Sequence, residues 1–213
     1  MSKIKYAFIL VLPFIITACQ ITKPKDIASI EQQWKTHQQI LEQINTFRVN
    51  GSIAQISEKT RNYGRFLITQ QSVNHFEVKL TTPVGTNILT LKSEPDFAEL
   101  INKNGNRYSD TNIENLMKKV SNVNIPFNSL HNWLKGYSNS INDKLDNSGR
   151  LVSTEFMQNN NKWNLKIPSY STYTYKNQKI DLPAIIELNH DGENIRGEWK
   201  HMENEWAKAL RKG

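Results

Sequence analysis

The chain holds one cysteine, Cys19, among 213 residues. With no second thiol, no intramolecular disulfide can form, and the fold must stand on its buried core. There is no Gly-x-Ser-x-Gly elbow, P-loop or dinucleotide fingerprint. That removes the commonest signatures of nucleophilic hydrolysis and nucleotide binding. The five histidines, His37, His75, His131, His190 and His201, are scattered without metal-ligand spacing, so no zinc site is expected. Carboxylates fall mainly on the polar faces of alternating segments, as Glu77 does, where solvation explains them. A carboxylate pair distant in sequence can still meet in space, and that alternative stays open. Neither an enzyme nor a cofactor is the expected reading.

Basic residues outnumber acidic ones: the formal charge is +7 and the pI about 9.4. Such a balance favours an anionic partner, whether nucleic acid, a lipid surface or an acidic protein. The N-terminus supplies the address. Lys3 and Lys5 precede an apolar run from Tyr6 to Ile16, too short to span a bilayer comfortably and typical of an export signal. The run ends in Ile16-Thr17-Ala18-Cys19, which resembles the lipobox of bacterial lipoproteins. The division expected is a signal peptide over 1–18, a lipidated tether over 19–28 and a single domain over 29–213. An ordinary signal peptide with a chance cysteine is the alternative. An exported chain does not meet the chromosome, so nucleic acid drops out. Gln20, not aspartate, follows the cysteine, which by resemblance to sorting signals implies the outer membrane of a Gram-negative bacterium. Several acyl chains on one cysteine anchor more firmly than one chain can.

Past the tether, Ser29 with Gln32 fits a capping box, and Ile30, Trp34, His37, Leu41 and Ile44 share one helical face. From Phe47 the period changes to two. Phe47–Ile53, Tyr63–Gln70, His75–Leu80, Asn87–Leu91 and Phe97–Ile101 alternate as strands, with a turn at Gly105. Thr111 and Glu114 form a second capping box before Ile113, Leu116, Met117 and Val120. A short helix holds Leu130, Trp133 and Leu134 and stops at Gly136. Strands resume through Phe156, Trp163–Ile167, Ile185–Leu188 and Ile195–Trp199, with a hairpin signal at Asp191-Gly192. Strands joined by short turns make an antiparallel sheet. One this long curls into a barrel or half-barrel to bury its apolar face. The expected fold is therefore mainly β, an unclosed antiparallel barrel with helices over its mouth. Every second residue then lines a cavity or fills a core.

Pro83-Val84-Gly85 and the run Pro126-Phe127-Asn128-Ser129-Leu130-His131-Asn132-Trp133-Leu134-Lys135-Gly136 resemble the LolB family. Trp34 with His37, Tyr63-Gly64-Arg65-Phe66, Gly105-Asn106-Arg107-Tyr108, Trp163 and Leu182-Pro183 continue the likeness over nearly the whole mature chain. The resemblance implies an outer-membrane lipoprotein that receives other lipoproteins from the soluble carrier LolA and inserts them into the membrane. It implies a hydrophobic cavity for acyl chains and no enzymatic activity. The partners it implies are a LolA-type carrier, client lipoproteins with their acyl chains and outer-membrane phospholipid, with the chain acting as a monomer. Two features depart from the family. Val84 stands at a tip that is leucine there, and the segment after Trp199, with Trp206, Lys208, Arg211 and Lys212, is longer and more basic. A structural lipoprotein that binds an envelope protein, and a carrier of free lipids on the same fold, remain alternatives.

Candidate roles follow. Cys19 is the lipidation site. Pro83, Val84 and Gly85 form a membrane-insertion loop. Phe66, Ile68, Phe76, Val78, Leu80, Leu89, Leu91, Trp133 and Trp163 are candidates for the acyl-chain cavity, with a filled core as the alternative for each. Placing the two apolar faces together sets Val78 opposite Leu89 and Phe76 opposite Leu91. Thr82-Pro83-Val84-Gly85 is then a type I turn with Val84 held outward.

Overall fold

A computed structural model of the protein describes residues 27–120, 127–138, 140–158, 161–190 and 193–203. Cys19, Pro126, Asp191-Gly192 and Trp206 lie outside the described residues. Helix α1, Ile27–Glu42, begins two residues before Ser29, so Ser29 is inside the helix and is not its cap. A meander of six strands follows: β1 Phe47–Ile56, β2 Arg61–Ser72, β3 His75–Thr81, β4 Asn87–Glu94, β5 Phe97–Asn102 and β6 Arg107–Asp110. Helices α2, Ile113–Val120, and α3, Phe127–Lys135, come next. The chain closes with β7 Lys144–Leu145, β8 Leu151–Gln158, β9 Asn161–Tyr175, β10 Gln178–His190 and β11 Glu193–Glu203.

The eleven strands among the described residues form one antiparallel sheet in the order β6-β5-β4-β3-β2-β1-β11-β10-β9-β8-β7. The first and last strands pair in its middle, and the two edges, β6 and β7, do not meet. The result is an open, mainly β sheet of two wings. Alternation explains why it curls. Val49, Ile68, Val78, Leu91 and Leu100 lie side by side across five strands, and all are buried. Each buried side chain of this kind stabilises the fold by roughly 1.5–3 kcal/mol, so the row fixes which face turns inward. Gly51, Phe66, Leu80 and Leu89 form the next row. In the other wing Leu165 and Leu188 pair on the same inner face.

The helices close over this face. Helix α2 lies against β5 and β6, and α3 against β10. The cap of α2 is Asn112, whose side-chain oxygen accepts from the Asn115 N–H (2.8 Å). Thr111, the expected cap, is one residue too early. Its N–H and hydroxyl both donate to Asp110. Helix α3 ends as expected at Gly136, in the left-handed region with φ 86°. Gly136 N–H donates to the Trp133 carbonyl and Tyr137 N–H to the Asn132 carbonyl, which is the Schellman pattern. The hairpin between β9 and β10 extends beyond the expected strands, turning at Lys176 and Asn177, both with positive φ.

Candidate functional site

The turn between β3 and β4 holds Val84 outward. Gly85 N–H donates to the Thr82 carbonyl (2.9 Å), closing a turn with proline second and glycine fourth, as expected. Thr82 N–H then donates to the Thr86 carbonyl (2.8 Å) and Thr86 N–H to the Thr82 hydroxyl (3.0 Å). Gly85 has φ 96°, so the loop is the three residues Pro83-Val84-Gly85 followed by a bulge. That bulge corrects the expected register. Val78 pairs with Leu91, Leu80 with Leu89 and Phe76 with Ser93, two residues away from the expected pairing. A slip of two keeps every side chain on its face, so hydrophobic pattern alone could not detect it. Val84 is 90% exposed.

The nine cavity candidates divide between two apolar clusters. Phe66, Ile68, Val78 and Leu91 are buried in the first, with Phe76, Leu80 and Leu89 half-buried against it. Trp133 and Trp163 are buried in the second, across the other wing. Trp34 of α1 and Leu130 of α3 touch both clusters, so the helices join what the sheet separates. An aromatic run crosses the second cluster. Trp133 lies 5.0 Å from Phe156, Phe156 6.4 Å from Trp163, and Trp163 4.7 Å from His190, centroid to centroid. The buried Trp163 indole N–H has no acceptor among the described residues. Val49, Leu100 and Leu165 share the inner face and were readable from alternation, but their strands carried no distinctive motif.

Segments that stood apart in the sequence meet in space. A side chain at Gly136 would sit about 3.0 Å from the Pro183 ring, and one at Gly149 only 2.7 Å from the Trp34 backbone nitrogen. His37 stacks on Trp34 at 6.4 Å. Burial lowers its pKa below 6.5 against the opposing pull of Asp181, and its Nε2 has no partner among the described residues. It is a packed histidine, hydrogen-bonded to the backbone of Asp181. Beside it Arg150 binds Asp146 (2.7 Å) and Asp181 (3.2 Å) and lies over the Tyr170 ring. The Tyr170 hydroxyl in turn donates to the Leu151 carbonyl (2.6 Å). This polar cluster ties the β7–β8 turn to β10 beneath α1.

Lys135 is the side chain that periodicity did not mark. It is 2% exposed at the end of α3, with its ammonium 5.1 Å from the Tyr137 ring centre. Burial pulls its pKa from 10.5 down to about 8, only partly offset by Glu42. The unfolded chain therefore binds more protons between pH 8 and 10.5, so stability rises with pH across that window. Lys135→Met removes the desolvation cost and is expected to stabilise the protein by about 1–3 kcal/mol at pH 7. Urea denaturation at pH 7 and pH 10 checks both effects: the variant gains at pH 7 and loses the alkaline rise.

A concavity of about 220 Å³ is lined by Thr69, Gln71, His75, Phe76, Glu77, Lys92, Ser93 and Glu94. Most of these alternate with the inward residues, which places it on the outer, polar face of β2–β4. Its lining is wrong for an alkyl chain. Among the described residues, no group of histidine, cysteine, aspartate or glutamate is arranged to hold a metal.

The family of outer membrane lipoprotein LolB matches residues 45–199, which is most of the sheet together with α2 and α3. The chain belongs to the LolB family. Membership places it in the localisation of outer-membrane lipoproteins and makes it an outer-membrane lipoprotein in its own right. The fold is shared, at low identity, with a solved structure. A lipoprotein-sorting protein domain from Vibrio parahaemolyticus superposes with TM-score 0.51 at 10% identity, covering 83% of this chain and 91% of its own. A LolA-superfamily protein from Nitrosomonas europaea gives 0.48 at 12% identity, covering 79% and 93%. The LolB match covers both the Val84 turn and the Trp133–Gly136 stretch.

Proposed function

We propose that the protein is the outer-membrane receptor that accepts lipoproteins from a LolA-type carrier, holds their acyl chains against the inner face of the sheet, and inserts them into the membrane. The observation that carries this reading is the inner face itself. It is apolar in both wings, with Trp34 and Leu130 joining its two clusters, half-buried at Phe76, Leu80 and Leu89, and covered by helices rather than by a second sheet. Helices can shift from an open sheet without breaking its ladder. A closed barrel offers no such opening.

The energetics favour a hand-over. Exposing one acyl chain of about fifteen methylenes to water costs on the order of 12 kcal/mol. A triacylated protein cannot cross an aqueous gap against that cost, whereas passage from one apolar face to another avoids it. No nucleotide is needed if each successive site binds more tightly, and the proposal assigns no enzymatic step, metal or cofactor. Mass spectrometry of the purified protein tests the site directly. Bound acyl chains, displaced by a hydrophobic dye with a shift in tryptophan emission, are the expected result. A protein that carries none and admits no dye contradicts the proposal.

Anchoring is assigned to Cys19. With a cleavable signal in front, Cys19→Ala is expected to move the folded protein from the membrane fraction to the soluble periplasmic fraction. Several acyl chains would be lost at once, and no single exposed side chain replaces them. Fractionation and immunoblotting check this. Firm membrane retention of the variant contradicts the assignment.

A further inference from the structure

The strand pairings bring several distant turns to one end of the sheet. Ile56 pairs with Arg61 and with Asn194, Thr81 with Asn87, Leu89 with Asn102, and Met157 with Lys162. The Val84 turn, the turns over 57–60 and 103–106, and the last residues of β8 therefore all stand at the same end. Apart from Ile27 at the start of α1 (77%), the most exposed large apolar side chains among the described residues are Ile141 (100%), Val84 (90%), Met157 (66%) and Tyr63 (58%). Val84 and Tyr63 lie at this end on one wing, and Met157 lies there on the other. Ile141 joins Met157, because Asn142 Nδ2 and the Ser140 hydroxyl both donate to the Glu155 carbonyl, two residues before it. At the opposite end Val73 and Phe97 are only about 40% exposed. Scattered apolar residues need no explanation, but segregated ones do.

Charge and chain direction agree with this segregation. Lys59, Arg61 and Lys103 stand in or beside the turns over 57–60 and 103–106 and form no ion pair among the described residues; Glu58 is the one carboxylate of those two turns, and Asp191 and Glu193 follow in sequence at the β10–β11 connection. Helix α1 is pinned at its far end, where the Tyr175 hydroxyl donates to the Gln43 carbonyl (3.1 Å). From there it passes Gly149, which lies against Ile30 and Trp34, so its sixteen residues, about 24 Å long, lead away from the β9–β10 hairpin at the opposite end. The eight residues from Cys19 to Ile27 can reach about 26–29 Å further.

We propose that this whole end of the sheet docks on an anionic phospholipid surface at two apolar points, Val84 on one wing and Met157 with Ile141 on the other. Lys59 and Arg61 between them, and Lys103 beyond Val84, face the headgroups. The inference rests on Val84 as an insertion tip and adds a second contact that sets the tilt of the sheet. Two points and an anchor define a plane, so a client released from the inner face emerges at a fixed height above the lipid.

The test uses the full chain with Cys19 acylated, so that an introduced cysteine is the one free thiol. Val84→Cys, Met157→Cys, Ile141→Cys and, at the opposite end, Val73→Cys are each labelled with bimane. They are reconstituted in vesicles of phosphatidylethanolamine and phosphatidylglycerol that contain a lipid brominated along its acyl chains. Quenching at 84, 157 and 141 but not at 73 is the expected pattern, with weaker quenching at 157 and 141 in pure phosphatidylcholine. Quenching at 84 alone overturns the second contact and leaves the insertion tip standing. No quenching at 84 removes both.

Discussion

Val84→Glu is expected to fold normally, to accept lipoproteins at the usual rate, and to fail in passing them to the membrane. The turn explains the first part. Its geometry is held by Pro83, by Gly85 with φ 96° and by the threonine pair at positions 82 and 86, and the Val84 side chain touches little of it. Acceptance is spared because the apolar clusters contain Phe66, Leu80 and Leu89 but not Val84. Delivery is expected to suffer because the tip is proposed to enter lipid. Burying one valine there contributes roughly 1.5–3 kcal/mol, so its loss alone slows a step that depends on it by roughly ten- to 150-fold. A carboxylate in lipid adds a further penalty of the same order. Val84→Leu, which enlarges the tip, is expected to deliver at least as well. Separate measurement of uptake and of release into vesicles distinguishes the steps. Normal delivery by Val84→Glu, or failure already at uptake, contradicts the role of the tip.

Gly51→Ala is expected to produce the largest loss of stability from a single methyl group. Gly51 sits where β1 meets β11, at a register shift between Asn50 and Gly51. A Cβ there would stand 2.1 Å from the Glu198 carbonyl oxygen and 2.7 Å from the Phe66 ring. The ring can turn aside, but the carbonyl belongs to the ladder that joins the two wings. Relief requires that ladder to open, a cost of roughly 3 kcal/mol, or about 6–12 °C in Tm for a chain of this length. Gly85→Ala is the natural control. Nothing lies within 4 Å of its Cβ position, and only the positive φ opposes it, so a loss of roughly 1 kcal/mol is expected. Thermal denaturation ranks the two, and equal losses contradict the contact at Gly51.

Much of this architecture was legible because its signals are local. Period-two alternation located most of the strands, and Gly136 marked the end of α3 before its hydrogen bonds were seen. Errors arose where two local solutions satisfied the same pattern. Thr111 and Asn112 are both good caps, and only the fold shows that Asp110 engages Thr111. The β3–β4 register could slip by two without moving a side chain to the wrong face, so the bulge at Gly85 decided it. Lys135 was invisible for a different reason. Its burial depends on how α3 settles against β10, which no residue of α3 encodes alone. The split of the inner face into two clusters joined by Trp34 and Leu130 is likewise a product of packing between distant segments. So is the gathering of Val84, Met157 and Ile141 at one end, which needs the complete strand order.

Acceptance of a lipoprotein by the inner face is the central claim, and transfer in solution tests it most directly. A soluble Cys19→Ala chain is mixed with a LolA-type carrier loaded with a lipoprotein whose acyl chains bear a photoreactive group. The lipoprotein is expected to leave the carrier without ATP, and illumination is expected to cross-link its acyl chains to inner-face residues such as Phe76, Leu80 or Trp133. A lipoprotein that stays on the carrier, or cross-links confined to the outer face of the sheet, would contradict the claim.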